Sequence, residues 1–387
     1  MNGSRSVASV LAALEVEPAR VAWSELYGAV QDAHGRRDVA WLAALLDGLP
    51  PASGGAWSAH QHLGQSARRA LATVPTYEAA YALLTRAAAC TQRPVLAAAL
   101  AQTHRDDSLA RLAALTWRAR GAAEMLALWM HESVYLGDAP DAVDALNALQ
   151  RRLFDAGDAL GRAPLTLLPL ERRLPRVAPH ISAHSWGAWR VGEGSPPETL
   201  DPRPAMTLPV TEVTEPAWVE RVREAWVPRG TVSNAKVEAR RFRLGRPLDP
   251  EALGAPVLRA VTPACIGDAA DDDDPAPAPR EITLSTAPAS PEVLAGALLT
   301  AAIGLRCYGE YAGVGRGRPR GWRALAALCG LDDAAPWSSV GDALDTLRVA
   351  CFSADARWFD HVCEDHGFLI LDAPGTTLTL VAETDSD

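Results

Sequence analysis

The sequence predicts a mixed fold: an all-α, helical-repeat-like first half, of HEAT type or a simple bundle, joined to an α+β C-terminal domain. Three observations carry this. Apolar residues recur at helical spacing from about residue 7 to 175, with only short Gly, Pro or polar breaks between runs. A stretch rich in Pro and Gly follows and keeps no steady period. Period-two alternation then enters, and the chain closes on two β-rich runs around Ala373-Pro374-Gly375. At 387 residues the chain exceeds one typical hydrophobic core, so two domains are expected. The divisions read as a helical domain over 1–176, a connection over 177–214, and an α+β domain over 215–387 that ends in a hairpin.

The helical half is justified run by run. "DVAWLAALLDGLP" sets Val39, Leu42, Leu45 and Leu46 on one face, and Gly48 and Pro50 stop it. "SAHQHLGQSARRALATV", "YEAAYALLTRAAAC" and "RPVLAAALAQTH" continue the series. "DSLARLAALTWRARG" opens on Asp107 or Ser108 as N-cap, and "AEMLALWMHESVYLG" and "DAPDAVDALNALQRRLFDAG" close it. Breaks this short predict antiparallel neighbours, and a succession of Ala/Leu helix pairs suits an α-solenoid.

In the second half, "EPAWVERVREAWV" predicts a short amphipathic helix. "NAKVEARRFRL" predicts a strand with Val237 and Ala239 on one face, Glu238 and Arg240 on the other. "DAADDDDPAPAPR" reads as an exposed acidic loop before a second strand, "EITLSTA". Ser290 as N-cap and Pro291 at the first helical position open another helix. "YGEYAGVGRGRPRG" reads as a glycine-arginine loop, with helices at "RGWRALAALCG" and "SSVGDALDTLRVACF" after it.

Composition bounds the function. A net charge of −10 argues against a general nucleic-acid binder. Lys236 is the only lysine, so nearly all basic charge is arginine, which suits phosphate recognition and equally follows from GC-rich coding. Cys90, Cys265, Cys307, Cys329, Cys351 and Cys363 form no CxxC pair and read as small buried hydrophobes of a reducing compartment. The N-terminus lacks a signal-peptide pattern, and the longest apolar run, Val293 to Leu305, is too short to span a bilayer. A cytoplasmic protein without a membrane partner is expected.

Three segments carry a family resemblance: "SNAKVEARRFRL", "YGEYAGVGRGRPRGWRALAALCG" and "WFDHVCEDHGFLILDAPGTTLTLVAETDSD". In this order they resemble an uncharacterised protein family found mainly in actinobacteria and related GC-rich lineages. The similarity spans roughly the second half of the chain. It implies a bacterial cytoplasmic protein and transfers no catalytic residue, cofactor or partner.

Four groups of residues are candidate sites. Gly315, Arg316, Gly317, Arg318, Arg320 and Arg323 in the glycine-arginine stretch form an anion-binding candidate, because glycine N–H groups, a following helix N-terminus and guanidinium forks all favour phosphate or carboxylate. The simpler reading is a loop that turns the chain, since neither a P-loop nor a dinucleotide fingerprint is present. "HVCEDH" is read as a helix end capped at Gly367, because His361 and His366 diverge on a helix and zinc needs four ligands. His60 and His62, and His180 and His184, lack an accompanying acid and read as ordinary histidines. His184, Trp186, Trp189 and Arg190 form an interdomain pocket candidate, against a simpler role anchoring the connection. No metal or other cofactor is expected, and no Gly-x-Ser-x-Gly elbow or Cys/His protease signature occurs. The leading functional expectation is a non-enzymatic scaffold engaging another protein through its helices; the alternative is an enzyme or switch binding a phosphate-bearing small molecule at the glycine-arginine stretch.

Overall fold

The computed structural model describes residues 5–16, 23–50, 59–87, 90, 92–104, 107–115, 120–137, 144–174, 204–227, 235–266, 282–304, 311–356, 358–359 and 364–385. Fifteen α-helices and one six-stranded antiparallel sheet lie among them, a mixed α and β fold with its strands in the C-terminal part. The chain divides into two compact units: Met1–Thr166 with Gly313–Gly315, and Leu167–Ala312 with Arg316–Asp387.

Among the described residues of unit 1 there are nine α-helices: α1 (Val7–Val16), α2 (Trp23–Gly35), α3 (Val39–Gly48), α4 (Ala59–Thr73), α5 (Tyr77–Thr85), α6 (Arg93–Thr103), α7 (Ser108–Ala113), α8 (Arg120–Leu136) and α9 (Asp144–Asp155). Local chemistry sets several starts. The Asp38 carboxylate accepts Trp41 N–H at 3.0 Å to cap α3, and the Thr76 hydroxyl accepts Ala79 N–H at 3.2 Å to cap α5. Leu42 and Leu45 of α3 are fully buried, as the apolar stripe requires. Helix α8 keeps no polar face over Met125–Val134, where even His131, Glu132 and Ser133 are buried. It is therefore a central helix, packed against α5, α6, α7 and α9.

Buried Glu132 has a specific task. Its Oε1 accepts the backbone N–H of Val314 at 2.8 Å, supplying a carboxylate to the first N–H of the helix that begins there. Gly313 precedes it at φ +79, and a Cβ there would stand 2.9 Å from Pro94 Cβ and 3.1 Å from Glu132 Oε1. Only glycine satisfies both the backbone angle and the space.

Unit 2 opens with α10 (Pro169–Arg173) and adds β1 (Val210–Glu212), α11 (Pro216–Arg223), β2 (Lys236–Leu244), α12 (Ala255–Val261), β3 (Leu284–Ala289), α13 (Pro291–Ile303), α14 (Val314–Leu328), α15 (Trp337–Leu344), β4 (Arg348–Ala354), β5 (Glu364–Leu371) and β6 (Thr377–Asp385). The first two residues of α14 are counted in unit 1. The strand order is β1-β2-β6-β5-β4-β3, with every pairing antiparallel. One face buries Ala239, Val349, Cys351, Phe368, Ile370 and Val381 in a core shared with α11, α13, α14 and α15. The other buries Phe242, Leu244, Phe352, Leu369, Leu378 and Leu380 with α12. Two covered faces explain why "FLIL" in β5 is continuously apolar rather than alternating.

The β5–β6 hairpin is closed by Asp372, whose Oδ1 accepts from Thr376 N at 2.7 Å and Thr377 N at 2.9 Å, while Gly375 turns at φ +71. The C-terminal end of α14 is a Schellman turn: Leu331 N–H donates to Ala326 O at 2.8 Å, Gly330 N–H donates to Ala327 O at 3.1 Å, and Gly330 has φ +74.

Three local expectations are corrected. The glycine-arginine stretch is helix, not loop, from Val314 onward. Its glycines are small for packing reasons: a Cβ at Gly317 would lie 2.5 Å from Ile303 Cα, and one at Gly321 would lie 2.6 Å from Leu299 Cδ2, both on α13. "SSVGDALDTLRVACF" is helix only to Leu344, and its β-branched and aromatic tail becomes β4. In "HVCEDH", residues 361–363 lie outside the described residues, and Glu364–His366 begin β5, paired with β6, instead of ending a helix. Strand β1 comes from the stretch read as the connection, whose residues 177–203 lie outside the described ones.

Candidate anion-binding site

Placing the glycine-arginine stretch on a helix separates its arginines. Arg318 points into the core and is fully buried. Its Nε and Nη2 donate to Glu171 Oε1 and Oε2 at 2.7 and 2.8 Å, a bidentate pair. Glu171 also accepts Trp322 Nε1–H at 3.0 Å and Leu168 N–H at 2.9 Å, so both its oxygens are doubly engaged. The guanidinium carbon lies 5.6 Å from the Trp337 ring centroid, and Trp337 stacks on Trp322 at 5.5 Å. Arg318 is thus committed to the fold. Gly315 and Gly317 are likewise buried and packed, with a Cβ at Gly315 meeting Leu160 at 2.9 Å and Leu128 at 3.1 Å.

Arg316, Arg320 and Arg323 follow at i, i+4 and i+7, so they share the other face of α14. All three are half-buried. Burial pulls the Arg320 guanidinium below its usual range, Glu224 opposes the shift, and Arg316 and Arg323 add to it by repulsion. Arg323 reaches Glu224 at 3.7 Å and Pro319 O at 3.3 Å. The second predicted group, His184, Trp186, Trp189 and Arg190, lies outside the described residues.

A second group of arginines lines a cavity elsewhere in unit 2. Strand β2 places Arg241 and Arg243 on the same face as Val237 and Ala239, because side chains alternate with period two. At this end of the strand the covering core runs out, and the two arginines line an open cavity of about 370 Å³. Arg221 and Trp218 of α11, Thr377 of β6, and Val213 and Glu215 of the β1–α11 link complete the wall, with Gly330 at its rim. That volume falls within the range of small-molecule sites, and a sphere of equal volume is about 9 Å across.

The walls are pinned. Val213 N–H donates to Arg241 O at 2.8 Å, and Arg241 N–H donates to the Thr214 hydroxyl at 2.9 Å. Trp218 Nε1–H donates to Ala327 O at 3.0 Å, and the Arg241 guanidinium carbon lies 5.5 Å from the Trp218 ring centroid. Arg221 pairs with Asp333 at 3.1 Å. The buried Arg241 Nε has no hydrogen-bond partner among the described residues. The side chains of Arg243 and Glu215 make no ion pair among the described residues. Gly330 leaves the rim open, since a Cβ there would come within 3.3 Å of Arg241 Nη2.

Three guanidinium groups and one carboxylate therefore face one cavity, an arrangement that attracts an anion and gives it planar donor forks. Among the described residues, no group of three or more His, Cys, Asp or Glu could hold a metal ion. The sequence did contain a signal for the pocket. The apolar stripe Val237, Ala239 continues in register as Arg241, Arg243, so two cations lie on a face that is otherwise core.

A model of a protein family, described as a family of unknown function, DUF6183, matches residues 24–387. The chain belongs to that family. The match covers most of both units, so the arginine pocket and the Arg318–Glu171 pair both fall within the DUF6183 region. No curated protein and no solved structure matches the chain. Among the described residues of this DUF6183 member, no helix is long and apolar enough to cross a membrane.

Proposed function

We propose that this protein binds a small phosphate- or carboxylate-bearing ligand in the pocket lined by Arg221, Arg241 and Arg243. The observation that supports the reading is that three arginines line one cavity, with Asp333 the only carboxylate among the described residues at ion-pair distance from any of them. The ligand class is the one anticipated for the glycine-arginine stretch, moved to a different set of arginines. Each charge-assisted bond contributes about 1.5–3 kcal/mol, so losing Arg243 weakens binding roughly tenfold to a hundredfold. Arg243 is exposed, and Arg243→Ala leaves the melting temperature unchanged. Calorimetric titration with inorganic phosphate on both proteins tests this. Equal affinities for wild type and Arg243→Ala would sink the reading.

A second reading, a protein-docking role for the helical unit, rests on a different observation. The exposed large hydrophobic residues among those described are Tyr81, Leu115 and Phe154, and all three lie in unit 1. Tyr81 is on α5, Leu115 follows α7, Phe154 is on α9, and α7 packs against both of the other helices. Helices of this unit pack chiefly on near neighbours in the chain, which supports a HEAT-like stack presenting an extended surface. Crosslinking of wild type and Phe154→Asp in cells, read by mass spectrometry, checks it. A crosslinked partner retained by the Phe154→Asp variant would refute docking through this strip.

A further inference from the structure

We infer that the arginine pocket selects a small zwitterion, its anionic group held by the arginines and its ammonium group held by Glu215. This rests on the anion-binding reading above. Glu215 lines the same cavity as the three arginines yet serves none of the roles expected of its position. It is the N-cap residue of α11, but its side chain accepts no capping hydrogen bond, and the extended backbone leaves the carboxylate exposed. Glu215 is the one carboxylate residue among those that line the cavity, since the nearby Glu212 is engaged by Arg240 at 2.6 and 3.2 Å and does not line it.

A bare anion would gain the arginines and suffer repulsion from Glu215, which lines the same cavity of about 370 Å³. An anion carrying an ammonium group on a two- or three-atom arm turns that repulsion into a second contact. The remaining wall fits such an arm, since Val213 and the edge of Trp218 are apolar and the Thr377 hydroxyl can both donate and accept. The pocket is therefore electrostatically divided, with cations along β2 and α11 and one anion at the start of α11.

The test compares O-phosphoethanolamine with ethyl phosphate, which share the phosphate and arm length and differ in the ammonium group. Both are titrated calorimetrically into wild type, Glu215→Gln and Arg243→Ala, with a thermal melt of each variant as the folding control. Wild type is expected to prefer phosphoethanolamine by about twofold to fivefold, the scale of one partly solvated ion pair. Glu215→Gln removes the preference by weakening phosphoethanolamine binding, and binds ethyl phosphate as well as or better than wild type. Arg243→Ala weakens both ligands. Equal affinities in wild type, or a preference that survives Glu215→Gln, would overturn the zwitterion inference while leaving the anion reading in place. Failure of both ligands to bind, or binding indifferent to Arg243→Ala, would overturn the anion reading and this inference with it.

Discussion

Removing the guanidinium of Arg318 should cost unit 2 more than any surface substitution could. In Arg318→Met the stem is retained, so packing changes little, but Glu171 is left 4 % exposed with its charge unpaired. Two of its four donors vanish, the bonds from Nε and Nη2 at 2.7 and 2.8 Å, while those from Trp322 Nε1 and Leu168 N remain. Breaking one side of a buried pair costs about 3–5 kcal/mol, against about 0–1 kcal/mol for an exposed pair. In a unit of this size each kcal/mol shifts the melting temperature by about 2–4 °C, so a fall of roughly 10 °C follows. The double variant Arg318→Met with Glu171→Leu removes the orphaned charge as well, and recovers part of the loss. A thermal melt of wild type, both single variants and the double variant gives the coupling directly. If Arg318→Met lowers stability by less than about 1 kcal/mol, or if the single losses simply add, the pair is not the buried clamp described here.

Further outcomes follow from neighbouring features. Gly317→Ala and Gly341→Ala should have opposite signs in thermal melts. Both sites are helical, where alanine is favoured by about 1 kcal/mol, but a Cβ meets nothing within 4 Å at Gly341 and strikes the backbone of Ile303 at 2.5 Å at Gly317. Gly330→Ala should lower stability by about 1 kcal/mol in the same assay, because its φ of +74 strains any residue with a Cβ. Burial pushes the Cys329 and Cys351 thiols up to about 12 and about 11, so both stay protonated at pH 8. Peptide mapping after brief maleimide treatment of the native protein should find both unlabelled, and treatment in denaturant should label both. On the acid side, the Arg240 hydrogen bond holds the Glu212 carboxyl below its usual range. Stability from that pair is present above the unfolded carboxylate pKa and is lost as pH falls through the lower folded value. Glu212→Gln should flatten that part of an acid melt by less than about 1 kcal/mol, as suits a solvent-screened pair.

What could be read from the sequence depended on how local its cause was. The α3 stripe, the Ser290-Pro291 helix start and the Ala373-Pro374-Gly375 turn each rest on residues within one turn or one hairpin, and each falls where expected, although the Ser290 side chain makes no capping hydrogen bond. The glycine-arginine stretch failed because glycine has two unrelated uses. Gly313 is conformational, with φ +79, whereas Gly317 and Gly321 are steric and make room for α13. Nothing within residues 313–321 distinguishes the two uses; the deciding atoms are Ile303 and Leu299, on a separate helix.

The same principle governs the arginines, and it explains why the candidate site moved. Charge in sequence does not say whether a guanidinium already has its carboxylate. Arg318 looked available beside three other arginines, but its partner, Glu171, is 147 residues away and consumes it. The alternation in β2 sets Val237 and Ala239 on one face and Glu238 and Arg240 on the other, and by itself singles out neither Arg241 nor Arg243. These two continue the stripe of Val237 and Ala239 past the point where it still finds a core, so that Arg241 is half-buried and Arg243 exposed. A cation at the rim of a core cannot spread its charge into bulk water as a surface residue does, and it retains donors that the fold itself does not use. That condition, more than the number of arginines, distinguishes a binding site from a solvated charge run, and Arg241 meets it through its buried Nε, which has no hydrogen-bond partner among the described residues.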